Sequence, residues 1–212
     1  MNPTIAVFAN SPDRGRGLAR DMAVRWALAE CGRDYDVRQL AFAELKLPDH
    51  KARQPFGQIP AYEADGLTLF ESGAIVLHIA ESHGALLPAD AAARARAIAW
   101  MFAAVSTVEP VILERESARL LEGDRPWTAQ RLPGIDARIQ DRLADLAGWL
   151  SGRDWLEGDF TAGDLMMICV LRRLAGSGLL ATQPVISEYV ARGEARPGFI
   201  TAFAAQRALF VG

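Results

Sequence analysis

Short apolar runs alternate with helical patterns through the first part of the chain. Residues 4–8 form a β-branched and aromatic run that predicts a buried strand. Apolar residues then recur with helical spacing from about Leu18 to Glu30, and Gly32 stands where a helix C-cap is expected. Alternating apolar and polar residues from Tyr35 to Leu40 predict a second strand, and a looser helical pattern covers residues 42–52. The predicted order up to this point is strand, helix, strand, helix.

A β-hairpin and a further helix are predicted next. Two apolar runs, at residues 60–63 and 67–70, flank Asp65-Gly66, a dipeptide that supplies the positive φ of a tight turn. A helical pattern follows from Ser72 to about His83, and its first turn offers backbone N–H groups and the positive end of the helix dipole to an anion. The first half of the chain therefore has the predicted order βαβαββα.

The pattern of the second half predicts helices and no convincing strand. Residues 84–90 are a predicted linker, which divides the chain into one domain at residues 1–84 and an all-α domain at residues 85–212. Thr161 and Asp164 have the spacing of a reciprocal N-cap at the start of a strongly apolar helix. The predicted helices run from Asp90 to about Leu121 with a bend near Pro110, from Gly134 to Leu150, from Leu165 to about Leu174, from Gln183 to about Ala191 and from Pro197 to about Arg207.

Composition narrows the classes of function. The chain has 212 residues, a formal net charge of -3 and no basic run that would neutralise nucleic-acid phosphates, so we expect no nucleic-acid partner. No apolar stretch approaches the roughly 18 residues that a membrane span needs, and the start of the chain lacks a signal-peptide pattern. We therefore expect a cytoplasmic protein with no membrane partner. Cys31 and Cys169 lack CxxC or metal-ligand spacing, and the three histidines do not cluster with acids or cysteines, so reduced thiols and no metal are predicted.

The stretch from Gln54 to Ser72 gives the strongest indication of chemistry. It begins with Gln-Pro-Phe-Gly-Gln-Ile-Pro at residues 54–60, continues through the hairpin and ends with Glu71-Ser72 at the start of a helix. This arrangement resembles the glutathione-binding half of the cytosolic, bacterial-type glutathione S-transferases, and residues 24–30 resemble the first helix of that family. The resemblance implies an α+β first domain with the thioredoxin-like fold, a helical bundle as an all-α second domain, and a cis peptide bond before Pro60.

The resemblance also implies how glutathione would bind as a co-substrate. With Pro60 cis, the Ile59 backbone would pair with the cysteinyl backbone of glutathione as a strand edge does. Glu71 would hold the γ-glutamyl ammonium, and the hydroxyl and N–H of Ser72 would bind its carboxylate. The side-chain amide of Gln58 would add a contact. Each feature also has an ordinary structural explanation, since Asp-Gly hairpins are common and a serine before an apolar helix is most often only an N-cap.

Activation of the thiol is the point at which this chain departs from the family pattern. Glutathione must react as a thiolate, because a free thiol with a pKa of roughly 8.5 is mostly protonated near neutral pH. Relatives place Tyr, Ser or Cys near the end of the first strand or the start of the first helix, whereas this chain has Leu-Ala-Arg-Asp at residues 18–21. Three candidates stay open: Ser11, Arg20 and the backbone N–H groups of that helix end. The loop has no cysteine, which argues against dithiol redox chemistry.

The leading hypothesis is a glutathione transferase that conjugates glutathione to small apolar electrophiles, as in detoxification, and that works as a homodimer. Phe56 lies four residues before Pro60, the spacing at which some relatives carry an aromatic that inserts into the partner subunit; packing within its own loop is the alternative. The main competing hypothesis is a non-catalytic glutathione-binding, ligand-binding or scaffold protein, because fold does not fix function. A glutathione-dependent peroxidase or reductase that needs no protein cysteine is the third.

Overall fold

The computed structural model describes residues 2–210, and these residues form two compact units. The described part of the first unit comprises residues 2–88 and 194–210, and the second unit comprises residues 89–193. The chain therefore leaves the first unit once and returns to it near its C-terminal end.

The first unit contains a four-stranded mixed sheet. Its strands are β1 (Thr4–Phe8), β2 (Asp36–Leu40), β3 (Ala61–Ala64) and β4 (Leu67–Phe70). The strand order across the sheet is β2-β1-β3-β4, with β1 parallel to β2 and antiparallel to β3. The hairpin of β3 and β4 pairs Ala61 with Phe70, and both turn residues, Asp65 and Gly66, have positive φ, as the sequence predicts.

The helices follow the predicted order closely. The α-helices of the described residues are α1 (Asp21–Glu30), α2 (Pro48–Lys51), α3 (Ser72–His83), α4 (Ala91–Ala103), α5 (Glu109–Leu120), α6 (Thr128–Leu150), α7 (Ala162–Leu171), α8 (Pro184–Glu194) and α9 (Pro197–Arg207). The first unit thus begins with the elements βαβαββα of the thioredoxin-like fold, which confirms the predicted fold. Residues 89–193 form helices and short turns, which confirms the predicted helical region.

Helix α1 begins later than its apolar pattern predicts. The pattern starts at about Leu18, but the helix starts at Asp21 because residues 13–19 form turns around the carboxylate of Asp13. Once formed, α1 is buried along most of its length, and Trp26 is fully buried with its ring edge against Phe199 at 5.0 Å between centroids. The helix therefore lies in the interior of the first unit.

Helix α9 belongs to the first unit, although it follows the second unit in the chain. Arg196 donates two hydrogen bonds to Glu30, at 2.8 and 2.7 Å, at the C-terminal end of α1. Gln206 donates to Asp21, at 2.9 Å, at the N-terminal end of the same helix. The first compact unit therefore includes a C-terminal segment that the predicted division assigns to the second domain. The division into domains at residues 1–84 and 85–212 stays a prediction.

The helix at the start of the second unit is irregular just before Pro110, where the sequence predicts a bend. Between α4 and α5, residues 104–108 form a π-helical turn in which the N–H of Glu109 donates to the carbonyl of Ala104, five residues back. Pro110 follows at once and lacks an N–H, so the wider turn accommodates the missing hydrogen bond. The π-helical turn thus connects α4 and α5 without a break in the helix.

This continuous helix corrects one expectation from composition. The segment Ala91–Leu120 is 30 residues long and contains an 18-residue window with a mean hydropathy of 1.5, so an apolar stretch of membrane-spanning length is present after all. Core helices of water-soluble proteins meet the same criterion, and one such helix is weak evidence for a membrane span. The absence of a membrane partner stays a prediction.

Helix α6 begins six residues before the predicted start at Gly134. Pro133 lies inside the helix, and the preceding turn is closed by the N–H groups of Gln130 and Arg131, which both donate to the carbonyl of Trp127. A proline this close to the start of a helix removes few hydrogen bonds. The predicted apolar face is confirmed, since all five of its residues are buried: Ile135, Ile139, Leu143, Leu146 and Leu150.

The N-cap of α7 is the polar centre of the second unit. Thr161 and Asp164 form the predicted reciprocal cap, with the N–H of Thr161 donating to Asp164 Oδ2 at 2.9 Å. Asp164 Oδ1 also accepts from the N–H of Leu156 at 2.9 Å and from the hydroxyl of Tyr189 at 3.0 Å. Burial raises the pKa of Asp164 although these hydrogen bonds oppose the shift. One buried carboxylate therefore joins three separate segments of the chain.

We predict that Asp164→Ala destabilises the protein strongly, by about 3 kcal/mol or more, because it leaves several buried donors without an acceptor. Urea unfolding followed by circular dichroism measures the change. Asp145→Ala is the matched control, since Asp145 is exposed in α6 and pairs with Arg142 at 3.5 Å; we expect a change within about 0.5 kcal/mol. Equal effects of the two substitutions would contradict the role of Asp164.

Candidate functional site

A cavity of about 190 Å³ opens in the first unit where three elements begin. It lies at the residue before α1, at the segment entering β3 and at the first residue of α3. Its lining residues are polar apart from two, and they are Arg20, Gln54, Gln58, Ile59, Pro60, Glu71 and Ser72. The cavity therefore brings together residues that are up to 52 positions apart in the sequence.

The predicted site residues divide into those that line this cavity and one that does not. All five predicted glutathione-binding residues line it, namely Gln58, Ile59, Pro60, Glu71 and Ser72, and so does Arg20. Ser11 is not among the lining residues. Its hydroxyl oxygen is buried beside Asp13, in the loop after β1. The roles of these residues stay predictions, but their placement distinguishes Arg20 from Ser11.

The segment entering β3 presents its backbone to the cavity and its apolar side chain to the core. A cis peptide bond joins Ile59 and Pro60, as the family resemblance implies. The Ile59 side chain packs in a buried cluster with Ala6, Leu40, Leu45 and Ala61. Gln58, by contrast, is exposed. Packing of the Ile59 side chain in the core therefore restricts the backbone at residues 58–60.

The start of α3 combines an unusual backbone conformation with a helix N-terminus. Glu71 has φ +70° and ψ 116°, a conformation that residues other than glycine rarely adopt, and its carbonyl accepts from the N–H of Ile75 at 3.0 Å. Ser72 is the first residue of the helix and is buried. Strained backbone of this kind is often found at binding sites. The N–H groups of a first helical turn and the helix dipole favour a carboxylate at this position.

Asp21, the neighbour of Arg20, is buried and is not among the lining residues. Its side chain is only 2% exposed and accepts from Arg25 Nε at 2.7 Å and from Gln206 Nε2 at 2.9 Å. Burial raises the pKa of Asp21, although the charge of Arg25 and these hydrogen bonds act in the opposite direction. Arg25 and Gln206 thus hold the Asp21 carboxylate inside the unit.

The Asp13 carboxylate accepts hydrogen bonds from backbone N–H groups that could otherwise donate to a thiolate. Its carboxylate accepts from the N–H groups of Gly15 at 3.0 Å, Leu18 at 2.5 Å and Ala19 at 3.2 Å. Burial alone would raise the pKa of Asp13, but these hydrogen bonds, the one from Leu18 foremost, outweigh it and leave the pKa below its ordinary value. The N–H groups just before α1 are therefore already engaged, which weakens the third candidate for thiol activation.

Sequence reasoning missed two side chains that support the cavity. Gln54 is buried and lines the cavity, and its Oε1 accepts from the N–H of Gln58 at 3.2 Å. His50 is buried beneath the same segment, with Nε2 2.6 Å from the carbonyl oxygen of Gln58. Gln54 is the first residue of the motif at residues 54–60, so the sequence could have indicated its role. A single histidine in a short helix gives no such indication.

Comparisons with known proteins agree on a family. Residues 14–81 match the family model "Glutathione S-transferase, N-terminal domain". The chain is 37% identical over 125 residues to glutathione S-transferase-like protein LUC7 of a Fusarium species, covering 57% of this chain and 56% of that protein. It is 35% identical over 126 residues to maleylacetoacetate isomerase of Rhizobium meliloti, covering 57% and 59%.

A solved structure extends this likeness over nearly the whole chain. A glutathione transferase of Burkholderia graminis, crystallised with two glutathione molecules bound per subunit, has a TM-score of 0.85 and 25% identity, and covers 96% of this chain and 88% of that one. Residues 14–81 therefore belong to the glutathione S-transferase N-terminal domain family. The matches to LUC7 and to the isomerase span less than two thirds of those proteins' own lengths.

The match of residues 14–81 to this family model confirms the resemblance carried by residues 54–72. The cavity lining falls inside the region that matches the family model, including Arg20. Ser11 and helix α9 lie outside that region. Among residues 2–210, no group of three or more His, Cys, Asp or Glu is arranged to hold a metal; that the protein needs none stays a prediction.

Proposed function

We propose that this family member is a glutathione transferase that binds glutathione in the cavity of the first unit and conjugates it to small apolar electrophiles. The observation that carries the proposal is the cavity itself, which gathers a strand-like edge at Ile59, a helix N-terminus at Ser72 and a cation at Arg20. The Burkholderia graminis relative, crystallised with glutathione, supports the same ligand here.

The chemistry of the lining residues suits the two ends of the γ-glutamyl group. Ser72 and the first turn of α3 offer hydrogen-bond donors and a positive dipole to its carboxylate. Glu71, at the adjacent position, offers a carboxylate to its ammonium. The backbone of Ile59 and the amide of Gln58 then accommodate the cysteinyl part, so that the thiol faces the start of α1.

In this mechanism the thiol loses its proton to solvent, and the thiolate forms a carbon–sulfur bond with the electrophile. The leaving group departs with the bonding electron pair, or an addition product takes up a proton. Arg20 favours the thiolate by its charge. Ser11 is the weaker candidate, since its hydroxyl is buried away from the cavity lining.

A non-catalytic glutathione-binding or scaffold protein of the same fold is the second candidate. It is favoured by one observation: no Tyr, Ser or Cys stands at the start of α1, where Arg20 and Asp21 lie. A peroxidase or reductase that uses the glutathione thiol alone would need the same cavity. Turnover with a generic electrophile distinguishes conjugation from binding, and turnover with a peroxide or a disulfide identifies the redox alternative.

We expect Ser72→Ala to weaken glutathione binding by about 1.5–3 kcal/mol, which is roughly tenfold to 150-fold, because it removes a hydrogen bond to a charged group. Titration calorimetry measures the affinity. Thr68→Ala is the matched control, since Thr68 is an exposed hydroxyl residue in β4, just before α3. An affinity of Ser72→Ala equal to that of the control would exclude this placement of the γ-glutamyl carboxylate.

Arg20→Ala should raise the pKa of the bound glutathione thiol and slow conjugation, whereas Ser11→Ala should leave both nearly unchanged. The guanidinium acts by charge at the cavity wall, while the serine hydroxyl is buried and does not line the cavity. Thiolate absorbance as a function of pH measures this pKa. Arg14→Ala removes an equal charge from an exposed position of the same loop and serves as the control.

If Ser11→Ala raises the pKa of the bound thiol and Arg20→Ala does not, thiol activation belongs to Ser11. If both variants keep the native pKa, backbone N–H groups are the remaining source within this loop. A bound thiol in the native protein with a pKa no lower than that of free glutathione would leave the binding-protein alternative.

We also propose a cytoplasmic homodimer in which Phe56 contributes to the interface. Phe56 is 64% exposed, and its ring lies edge-on to Phe70, itself 37% exposed, with 6.1 Å between centroids. Exposed aromatic side chains of this kind are common anchors at interfaces. Two neighbouring exposed rings, one in the loop before β3 and one at the end of β4, thus favour an intermolecular role over packing within the loop.

Light scattering at micromolar concentration is expected to give twice the chain mass for the native protein and a lower mass for Phe56→Ala. Phe42→Ala is the control, because Phe42 is similarly exposed but stacks on Phe8. A native monomer would reject the dimer. A Phe56→Ala protein that dimerises as well as the control would reject only the anchor.

A further inference from the structure

The short segment before the cavity holds the backbone of the next loop with three side chains. Lys46 Nζ donates to the carbonyls of Gly57, at 2.9 Å, and Phe56, at 3.3 Å. His50 and Gln54 bond the next residue, Gln58. Successive backbone groups from residue 56 to residue 58 are thus bonded to side chains from residues 46–54, just where the chain enters the cavity wall.

The loop and this segment approach so closely that a side chain at residue 57 is excluded. Gly57 has φ +62°, and a Cβ atom at this position would lie 2.6 Å from the carbonyl oxygen of Leu45. Any other residue would push the two segments apart. The hydrogen bonds of His50 and Gln54 therefore join two segments that are already in close contact.

Gln58 has both of its backbone polar groups bonded to side chains. Its N–H donates to Gln54 Oε1 at 3.2 Å, and its carbonyl oxygen lies 2.6 Å from His50 Nε2. Ile59, the next residue, is anchored in the core. The peptide groups on either side of Gln58 are thereby fixed, and the exposed Gln58 side chain is left to face the cavity.

The hydrogen bond of His50 defines its tautomer. A carbonyl oxygen can only accept, so Nε2 carries the proton and donates it to Gln58. His50 is 3% exposed, and its Nδ1 is buried without a hydrogen-bond partner among the described residues. His50 does not line the cavity. Its contribution to the site therefore passes through the Gln58 carbonyl.

We propose that His50 is a positioning residue for glutathione binding, which acts by donating from Nε2 to the Gln58 carbonyl and so fixes the peptide edge of residues 58 and 59. The inference rests on the proposed function for its consequence in binding, but the fixing of the backbone is a property of the protein without ligand. Gln54 completes the arrangement from the N–H side of the same residue.

Two polar substitutions separate positioning from packing. In His50→Gln the side-chain amide nitrogen reaches about as far as Nε2 and can donate to Gln58, whereas in His50→Asn the amide is too short. Both variants bury a polar amide, so both carry similar costs in stability. His83→Asn is the control, since His83 is exposed at the end of α3.

We expect His50→Asn to weaken glutathione binding by about fivefold, in the range of one neutral hydrogen bond, and His50→Gln to stay close to the native affinity. The pKa of the bound thiol should not change in either variant, because Arg20 is untouched. In the protein without ligand, amide hydrogen exchange at Gln58 should be faster in His50→Asn than in His50→Gln.

Equal exchange at Gln58 and equal affinity in the two His50 variants would overturn the inference, whether both resemble the native protein or both are impaired. If the native protein fails to bind glutathione, the proposed function fails, and the exchange rates alone still decide whether His50 fixes the loop. If binding is native in His50→Asn while exchange at Gln58 is fast, His50 orders the backbone without serving the ligand, and the positioning role is rejected.

Discussion

The candidate site depends on the way in which the chain enters β3. Ile59 belongs to a buried apolar cluster of the first unit, and Ile59 and its two neighbours also line the cavity. Because a side chain in a close-packed core has little freedom to move, the peptide groups attached to it are held as well. Gly57 and the bonds to Gln58 extend this constraint backwards along the chain. The cavity is thus a property of the core as much as of its own lining.

Electrostatics near the cavity depends on which charges the fold takes inward. Asp13 is surrounded by backbone N–H groups, and Asp21 is buried between Arg25 and Gln206. Both acids near the start of α1 are therefore engaged inside the unit, and the charged groups that line the cavity are Arg20 and Glu71. One cation and one acid suit a ligand that carries charges of both signs, with the thiol at the cationic side. This separation gives a physical reason to place thiol activation at Arg20.

The parts of the fold that sequence predicts well are those with local causes. The Asp65-Gly66 turn, the start of α3 at Ser72 and the cap at Thr161 each depend on a few adjacent residues, and the structure has them where they were predicted. The supporting roles of His50 and Asp13 depend instead on contacts with backbone several residues away, which no periodic pattern records. Five lining residues were identified because a family motif carries them, whereas their supports belong to no motif.

Helix α9 shows why the first part of the chain is not sufficient to build this site. Gln206 Nε2 donates to Asp21 Oδ1 and lies 3.4 Å from the carbonyl oxygen of Ala19, so it bonds on both sides of Arg20. At the other end of α1, Arg196 pairs with Glu30. Without α9, a carboxylate that is 2% exposed would lose a buried hydrogen-bond donor, and the fully buried indole of Trp26 would lose its cover. The backbone that carries Arg20 to the cavity is therefore held from the far end of the chain, beyond the region that matches the family's N-terminal domain.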